Sequence, residues 1–298
     1  MATKVFERRR KEDRPVLAIC YDFDKTLSPD DMQAQGYIQS VGYDVDRFWK
    51  ESNAMAAEND MDGNLAYMLK MVREAKGNFI FNKRTLAEYG AKVQLFPGVA
   101  DWFRRIREYG LSKNVIVEHY IISSGLREII EGSTIHQEFK EIYASEFYYD
   151  ESGRPVWPKL AVNFTAKTQF VYRINKGVLD VSDDKTLNDS MPDDSKRVPF
   201  TNMIYVGDGL SDVPCMKMMR TYGGQAIAVY QPESRVAVEE LLYRGRVDFI
   251  FPADYREGTG LDATVKNIIR KMAVTDLLAE EHAGQMNQIG RGDLPYQA

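Results

Sequence analysis

The sequence predicts an α/β fold: an open, mostly parallel sheet with helices on both faces, interrupted after its first strand by an inserted helical module. Two observations predict it. Short apolar runs recur at residues 16–21, 115–122, 203–206, 226–230 and 247–251, each ending in small or acidic residues and followed by helical periodicity. Between the first two runs, residues 30–89 carry no strand pattern. They carry helical stretches at 44–59, 65–76 and 84–89, with Gly42, Gly77 and Gly90 as stops.

In chain order, the first strand is followed by the helical insertion, and Leu95-Phe96-Pro97-Gly98-Val99 marks the return to the sheet domain. Trp102, Phe103 and Ile106 then hold helical spacing up to Gly110. Residues 142–149 and 155–157 flank the turn Asp150-Glu151-Ser152-Gly153-Arg154, which predicts a hairpin hung on the sheet. Segment 178–199, polar and carrying Asp183-Asp184 and Asp193-Asp194, reads as a long surface connection. Beyond Ala273 the helical pattern fades into a mobile tail at 284–298. The expected layout is a core domain at 1–28 and 92–275, a helical cap at 29–91, and a helix end with a flexible tail at 276–298.

Composition narrows the function classes. A chain of 298 residues with 44% apolar and 28% charged residues is long enough for a sizeable buried core, and is not disordered in character. Its net charge of −5 gives no general field for polyanions, so a nucleic-acid partner is not expected. Residues 1–14 are charged without the apolar centre of a signal peptide, and no apolar run approaches the ~20 residues of a membrane span. No membrane partner and a cytoplasmic location are therefore expected. The two cysteines, Cys20 and Cys215, make neither a disulfide framework nor a zinc motif, and read as reduced thiols. The oligomeric state is not encoded in any recognisable pattern.

Three strand ends carry the chemistry. The first run leads into Asp22-Phe23-Asp24-Lys25-Thr26, where two carboxylates lie at the edge on which open α/β sheets bind ligands. One carboxylate can attack phosphorus while its neighbour protonates the leaving oxygen and later activates water. By itself such a pair is equally a solvated turn with Asp24 capping a helix. The second run ends in Ser123-Ser124-Gly125, a hydroxyl and backbone N–H groups at a helix start, which is either a phosphate cradle or an N-cap. The run at 203–206 ends in Gly207-Asp208-Gly209-Leu210-Ser211-Asp212, whose acids, brought beside Asp22, make an oxygen site suited to Mg²⁺; alone they could be two capping aspartates.

Together these segments resemble the ordered motifs of the haloacid dehalogenase-like superfamily, in its phosphoserine phosphatase-like branch with a helical cap, and the match spans residues 16–212. The resemblance implies a Rossmann-like core and a Mg²⁺-dependent phosphohydrolase. It implies Asp22 as nucleophile, Asp24 as general acid/base, and Ser123 with Ser124 and Gly125 as phosphate contacts. Metal ligation would fall to Asp22, the Asp24 carbonyl and Asp208, with Asp212 close by. Thr26 would steady the loop. The family's lysine could be Lys159, Lys167, Lys176 or Lys185. Lys167 is preferred, because it opens the helical stretch 166–176 against the helix dipole, whereas Lys176 ends that stretch where the dipole favours a cation. A charged group held against the dipole has a functional reason to be there.

The acid at Asp24 disfavours carbon–halogen hydrolysis, since halide leaves without a proton and an alkoxide does not. A cap inserted after the first motif points to a small phosphorylated metabolite as substrate. Asp31, nine residues after Asp22, stands where that branch contacts a substrate amine, though it is equally part of a helix start, and Arg73 on the cap could pair a carboxylate or simply be solvated. The cap's Met55, Met61, Met68, Met71, Tyr37, Phe48, Trp49 and Tyr67 are expected to form its own core, with some open to the cleft. The alternatives are a phosphotransferase or phosphomutase using the same phosphoenzyme, and a non-catalytic phosphometabolite-binding protein with 178–199 as its partner surface.

Overall fold

In strand β2 (Arg14–Tyr21) residues 16–21 read as unbroken apolar sequence because they are buried on both sides: Leu17, Ile19 and Tyr21 join one core cluster, Val16, Ala18 and Cys20 the other. The computed structural model describes residues 10–11, 14–75, 81–192 and 196–288. Around β2 the sheet adds β1 (Arg10–Lys11), β3 (Ile116–Leu126), β4 (Glu141–Tyr149), β5 (Pro155–Leu160), β6 (Met203–Gly207), β7 (Gln225–Tyr230) and β8 (Phe249–Pro252). The spatial order is β5-β4-β3-β2-β6-β7-β8, with β1 pairing antiparallel to β2. All pairs from β4 to β8 are parallel, and β4–β5 is antiparallel. The chain builds outward from β2 on one side, then returns and builds outward on the other. The crevice between β2 and β6 is therefore a topological switch point, where open α/β sheets place ligands.

Helices α1 (Val45–Glu58), α2 (Gly63–Glu74) and α3 (Lys83–Gly90) lie between β2 and β3. Each has a side-chain cap: Asp44 accepts from Arg47 N–H, Asp62 from Asn64 and Leu65 N–H, and Asn82 from Thr85 N–H. Phe48, Met68, Met71 and Leu86 from these helices bury in the same cluster as Tyr21 and Ile121, so their apolar faces continue the core of one sheet face. That face also carries α4 (Val99–Ser112), α5 (Arg127–Gly132) and α9 (Gly260–Gln288). The other carries α6 (Lys167–Lys176), α7 (Val213–Thr221) and α8 (Arg235–Tyr243).

Three sequence expectations are revised. The hairpin expected at 142–157 is present as the antiparallel β4–β5 pair, but its first strand also belongs to the sheet, since Ile142 and Tyr143 of β4 pair in parallel with Ile121 and Ile122. Apolar alternation identifies a strand but does not name its partner. The C-terminal helical pattern does not fade after Ala273, because α9 runs through Gly284 to Gln288. Its Ala, Leu, Glu, Gln and Met residues are strong helix formers that absorb one interior glycine; the tail expected beyond Gln288 lies outside the described residues. Segment 178–199 contains a short helix, Asp184–Asn188. Arg173, 1% exposed, anchors it by donating to the carbonyls of Asp180, Val181 and Asp183 and pairing with Asp184. Gly77 and Asp193-Asp194 lie outside the described residues.

Candidate active site

The β2–β6 register sets Tyr21 against Val206, so the residues that follow, Asp22 on one strand and Gly207-Asp208 on the other, leave the sheet side by side. Asp22 N–H donates to Val206 O at 2.9 Å, which extends the ladder by one bond and fixes the carboxylate at the strand tip. On the other side Tyr21 pairs with Ile121, which carries Ser123 to the same edge.

Asp22 is buried, and both its oxygens are held. Oδ1 accepts from Phe23 N–H at 2.7 Å, and Oδ2 lies 2.9 Å from Lys167 Nζ. The Lys167 ammonium also lies 2.8 Å from Asp212 Oδ1, and none of its surface is exposed. Burial alone would lower its pKa, yet Asp212 and Asp22 hold it above the ordinary lysine value. Burial lifts Asp22 to about 6, with Lys167 pulling it down and Asp212 pushing it up. The other candidate lysines are occupied elsewhere or unburied: Lys159 pairs with Glu146, Lys176 donates to the carbonyls of Leu187 and Asp189, and Lys185 is exposed on the short helix.

Asp24 is turned away from this cluster, and its Oδ1 accepts from Met32 N–H at 2.8 Å. Burial, then Asp31 and Asp22, push its carboxyl well above the usual carboxylate range, so it is poised to hold a proton. Gly125 packs closely here: a Cβ would run into Met32 Cε and stand 3.0 Å from Asp24 Oδ2. Its N–H is spent on Ser123 Oγ at 3.0 Å, which leaves the buried Ser123 hydroxyl its own hydrogen to donate. Thr26 is buried, and its carbonyl accepts from Tyr255 OH at 2.7 Å, which ties the loop to the chain beyond β8.

Asp22, Asp208 and Asp212 each offer a carboxylate oxygen within 4.8 Å of the others. Burial, followed by Asp212 and Asp22, raises Asp208 to about 8. Asp212 Oδ1 accepts from Tyr205 OH at 2.7 Å as well as from Lys167, but its buried Oδ2 has no hydrogen-bond partner. Three crowded carboxyl groups with an unanswered oxygen fit a small hard cation of the Mg²⁺ type.

From Asp24 a cavity of about 210 Å³ extends towards the inserted helices, bounded by Asp31, Gln33, Trp49, Asn64, Tyr67 and Ser124. Asp31 thus reaches the cavity, paired with Lys25 at 3.1 Å. Arg73 does not: it is exposed and donates to Met55 Sδ at 3.4 Å, because its position on α2 faces away from the wall that Asn64 and Tyr67 form. Ser124 lines the cavity and its carbonyl accepts from Tyr67 OH at 2.8 Å, so its side chain serves this wall while Ser123 serves the strand tip. Two further bonds join α2 to the chain after β5, Asn64 Nδ2 to Val162 O at 2.5 Å and Asn163 Nδ2 to Asp62 Oδ2 at 3.0 Å. The sequence did not single out Gln33; Trp49 and Tyr67 were expected among the cap's core residues with some open to the cleft, and both pack with the core cluster while bounding the cavity. The aromatic residues of both helices were visible, but not which of them would face the cleft.

A family profile described as haloacid dehalogenase-like hydrolase matches residues 19–217. An uncharacterized protein of Borreliella burgdorferi is 29% identical over 280 residues, covering 84% of this chain and 95% of that protein. Among solved structures, a HAD-family hydrolase from Salmonella enterica serovar Typhi aligns with a TM-score of 0.56 at 17% identity, covering 87% of this chain and 73% of the other. A substrate-bound phosphoserine phosphatase complex aligns at 0.54 and 15% identity, covering 82% and 97%. A probable phosphoserine phosphatase from Vibrio cholerae aligns at 0.53 and 14% identity, covering 88% and 66%. At these identities the solved structures show a shared fold.

Proposed function

The chain belongs to the haloacid dehalogenase-like hydrolases, and from that premise we propose that it is a Mg²⁺-dependent phosphatase that hydrolyses a small phosphomonoester through an aspartyl-phosphate on Asp22. The observation that carries this reading is the buried Asp22 carboxylate, set between the Lys167 ammonium and the acids Asp208 and Asp212, with a second carboxyl, Asp24, facing a cavity.

Each residue has a task that follows from its surroundings. An Asp22 oxygen forms a bond to phosphorus as the bond to the ester oxygen breaks, with Lys167 balancing the charge that gathers on the phosphoryl group. Asp24, whose pKa stands well above the usual range, gives its proton to the departing alkoxide. As a carboxylate it then takes a proton from water, which attacks the phosphorus, releases inorganic phosphate and restores Asp22. Ser123 Oγ–H donates to a phosphoryl oxygen. Asp22 and Asp208, with the Asp24 carbonyl, would hold the Mg²⁺, Asp212 standing behind them. When bound, that ion offsets the negative charge of phosphate and carboxylates at the strand tips.

The inserted helices 29–91 act as the cap over a core formed by 1–28 and 92–275. Among the described residues no helix is long and apolar enough to cross a membrane. Cys20 and Cys215 are both free and buried, which supports a reducing, cytoplasmic setting. The test is hydrolysis of p-nitrophenyl phosphate by purified protein with and without Mg²⁺. Activity that needs Mg²⁺ and disappears in Asp22→Asn is the expected result, and equal rates in the variant and the parent would refute the reading.

A further inference from the structure

The cavity beside Asp24 receives the leaving group if the phosphatase reading holds, and its walls carry polar groups that the fold itself does not satisfy. Trp49 Nε1 and Ser124 Oγ are buried without a hydrogen-bond partner. Gln33 is 2% exposed, lines the same cavity, and its side-chain amide makes no hydrogen bond among the described residues. Buried donors and acceptors left unmade are costly, and a wall that gathers two of them beside the Gln33 amide is built for partners that arrive with a ligand.

The charge of the wall limits what that ligand carries. Among the described residues lining the cavity there is no Lys or Arg, and its two carboxyl groups are Asp24, the proton donor of the proposed reaction, and Asp31. Lys25 already pairs with Asp31 at 3.1 Å, and Arg73 is turned out to Met55. A carboxylate on the leaving group, such as phosphoserine bears, would meet two carboxyl groups and no free cation. An amine would compete with Lys25 for Asp31. What remains unanswered is neutral: an indole N–H that donates, a carboxamide and a hydroxyl that do both. The Trp49 and Tyr67 rings, edge to face at 5.8 Å, add an apolar surface for carbon-bound hydrogens.

Resting on the phosphatase reading, we propose that the leaving group is an uncharged, hydroxyl-rich alcohol of the sugar or polyol type, and that Trp49 and Gln33 are its specificity-determining residues. The hydroxyls accept from Trp49 Nε1–H and exchange hydrogen bonds with the Gln33 amide and Ser124 Oγ, while Asp24 stands at the ester oxygen.

The experiment compares kcat/KM for p-nitrophenyl phosphate, ribose 5-phosphate, glucose 6-phosphate, O-phospho-L-serine and phosphoethanolamine, using the full chain with Mg²⁺. A sugar phosphate is expected to exceed O-phospho-L-serine and phosphoethanolamine by roughly tenfold or more. Trp49→Phe, which keeps a ring but removes the N–H, is expected to lower the ratio of ribose 5-phosphate to p-nitrophenyl phosphate turnover by roughly tenfold, and Gln33→Met to lower it in the same direction. Preference for either amine-bearing phosphate, or an unchanged ratio in both variants, overturns the inference. Absence of p-nitrophenyl phosphate turnover in the parent protein is a separate failure, because it counts against the phosphatase reading and not against the choice of leaving group.

Discussion

Lys167 Nζ stands 2.9 Å from Asp22 Oδ2 although 145 residues separate them, and it also holds Asp212, a further 45 residues on. The ammonium opens α6 in the position least favourable for a cation. Two carboxylates outweigh the dipole, so the charge is retained for the strand tips rather than for the helix.

Lys167→Met tests this balance. Hydrolysis of p-nitrophenyl phosphate should fall by roughly 10²–10³-fold, as when one electrostatic stabiliser is lost. Breaking a buried pair should also destabilise the metal-free protein by roughly 3–5 kcal/mol, read from urea unfolding. Full activity in the variant would remove Lys167 from the site.

Asp24→Asn separates proton transfer from attack. An alkyl phosphate should lose roughly 10²–10⁴-fold in kcat/KM, which reports the transfer to Asp22 and leaves out the later water step that Asp24 serves for every substrate. p-Nitrophenyl phosphate should lose much less, because p-nitrophenolate leaves without a proton. Equal losses for both substrates would mean that Asp24 does not protonate the leaving group.

Crowded acids make metal affinity dependent on pH. Asp22 and Asp208 are raised to about 6 and about 8, so protons compete with the ion until the pH passes those values. Thermal denaturation should show Mg²⁺ raising Tm more at pH 8.5 than at pH 6, and Asp208→Asn should lose most of that rise. A rise that is independent of pH would argue against carboxylate ligation.

Gly207→Ala probes the floor of the site. A Cβ there would fall on the Asp212 carboxylate. The displaced acid would loosen its bonds to Lys167 and Tyr205, so both Tm and the Mg²⁺-induced shift should drop. A variant with parent-like melting would show that Asp212 has room to move.

His119 governs acid sensitivity away from the catalytic edge. Its Nδ1 shares a hydrogen bond with Tyr21 OH at 3.1 Å, Tyr21 accepts from Trp102 Nε1 at 2.9 Å, and burial followed by the charge of Arg107 lowers the ring's pKa to about 3. The unfolded ring binds a proton near pH 6.5 and the folded one does not. This contribution is therefore fully present above about pH 6.5 and is lost as pH falls towards 3, at up to about 1.4 kcal/mol per pH unit. Urea unfolding of His119→Phe should show a flatter dependence than the parent across that window, and parallel curves would contradict it.

The strand tips were legible in the sequence because a doubly buried strand must be apolar along its whole length, and its end is marked where acids begin. Asp22, Ser123 and Asp208 were found that way. Lys167 was reached by a different route, as the one with least local reason for its place among four lysines that the family resemblance allowed. Side-chain placement in the cap was harder to read. Trp49 follows Phe48 by one residue, yet Phe48 packs in the core and Trp49 bounds the cavity, a distinction set by how α1 rotates against α2. Gln33 left no signal at all, since a lone amide in a short helical turn is ordinary sequence. For Arg73 the sequence left a substrate contact and a solvated surface position both open, and the exposed side chain takes the second, since helical spacing says which residues share a face but not which face looks inward.

The Arg173 anchor bears on how this chain can change over generations. Segment 178–199 is held to the C-terminal half of α6 by the buried Arg173 guanidinium, by Asn175 and by Lys176, away from Lys167 at the other end of that helix. Lengthening such a connection adds only a slowly growing closure entropy. Descendants of this protein could acquire or shed residues there while the lysine and the acids on either side keep their places, which makes the segment a natural port for new recognition elements.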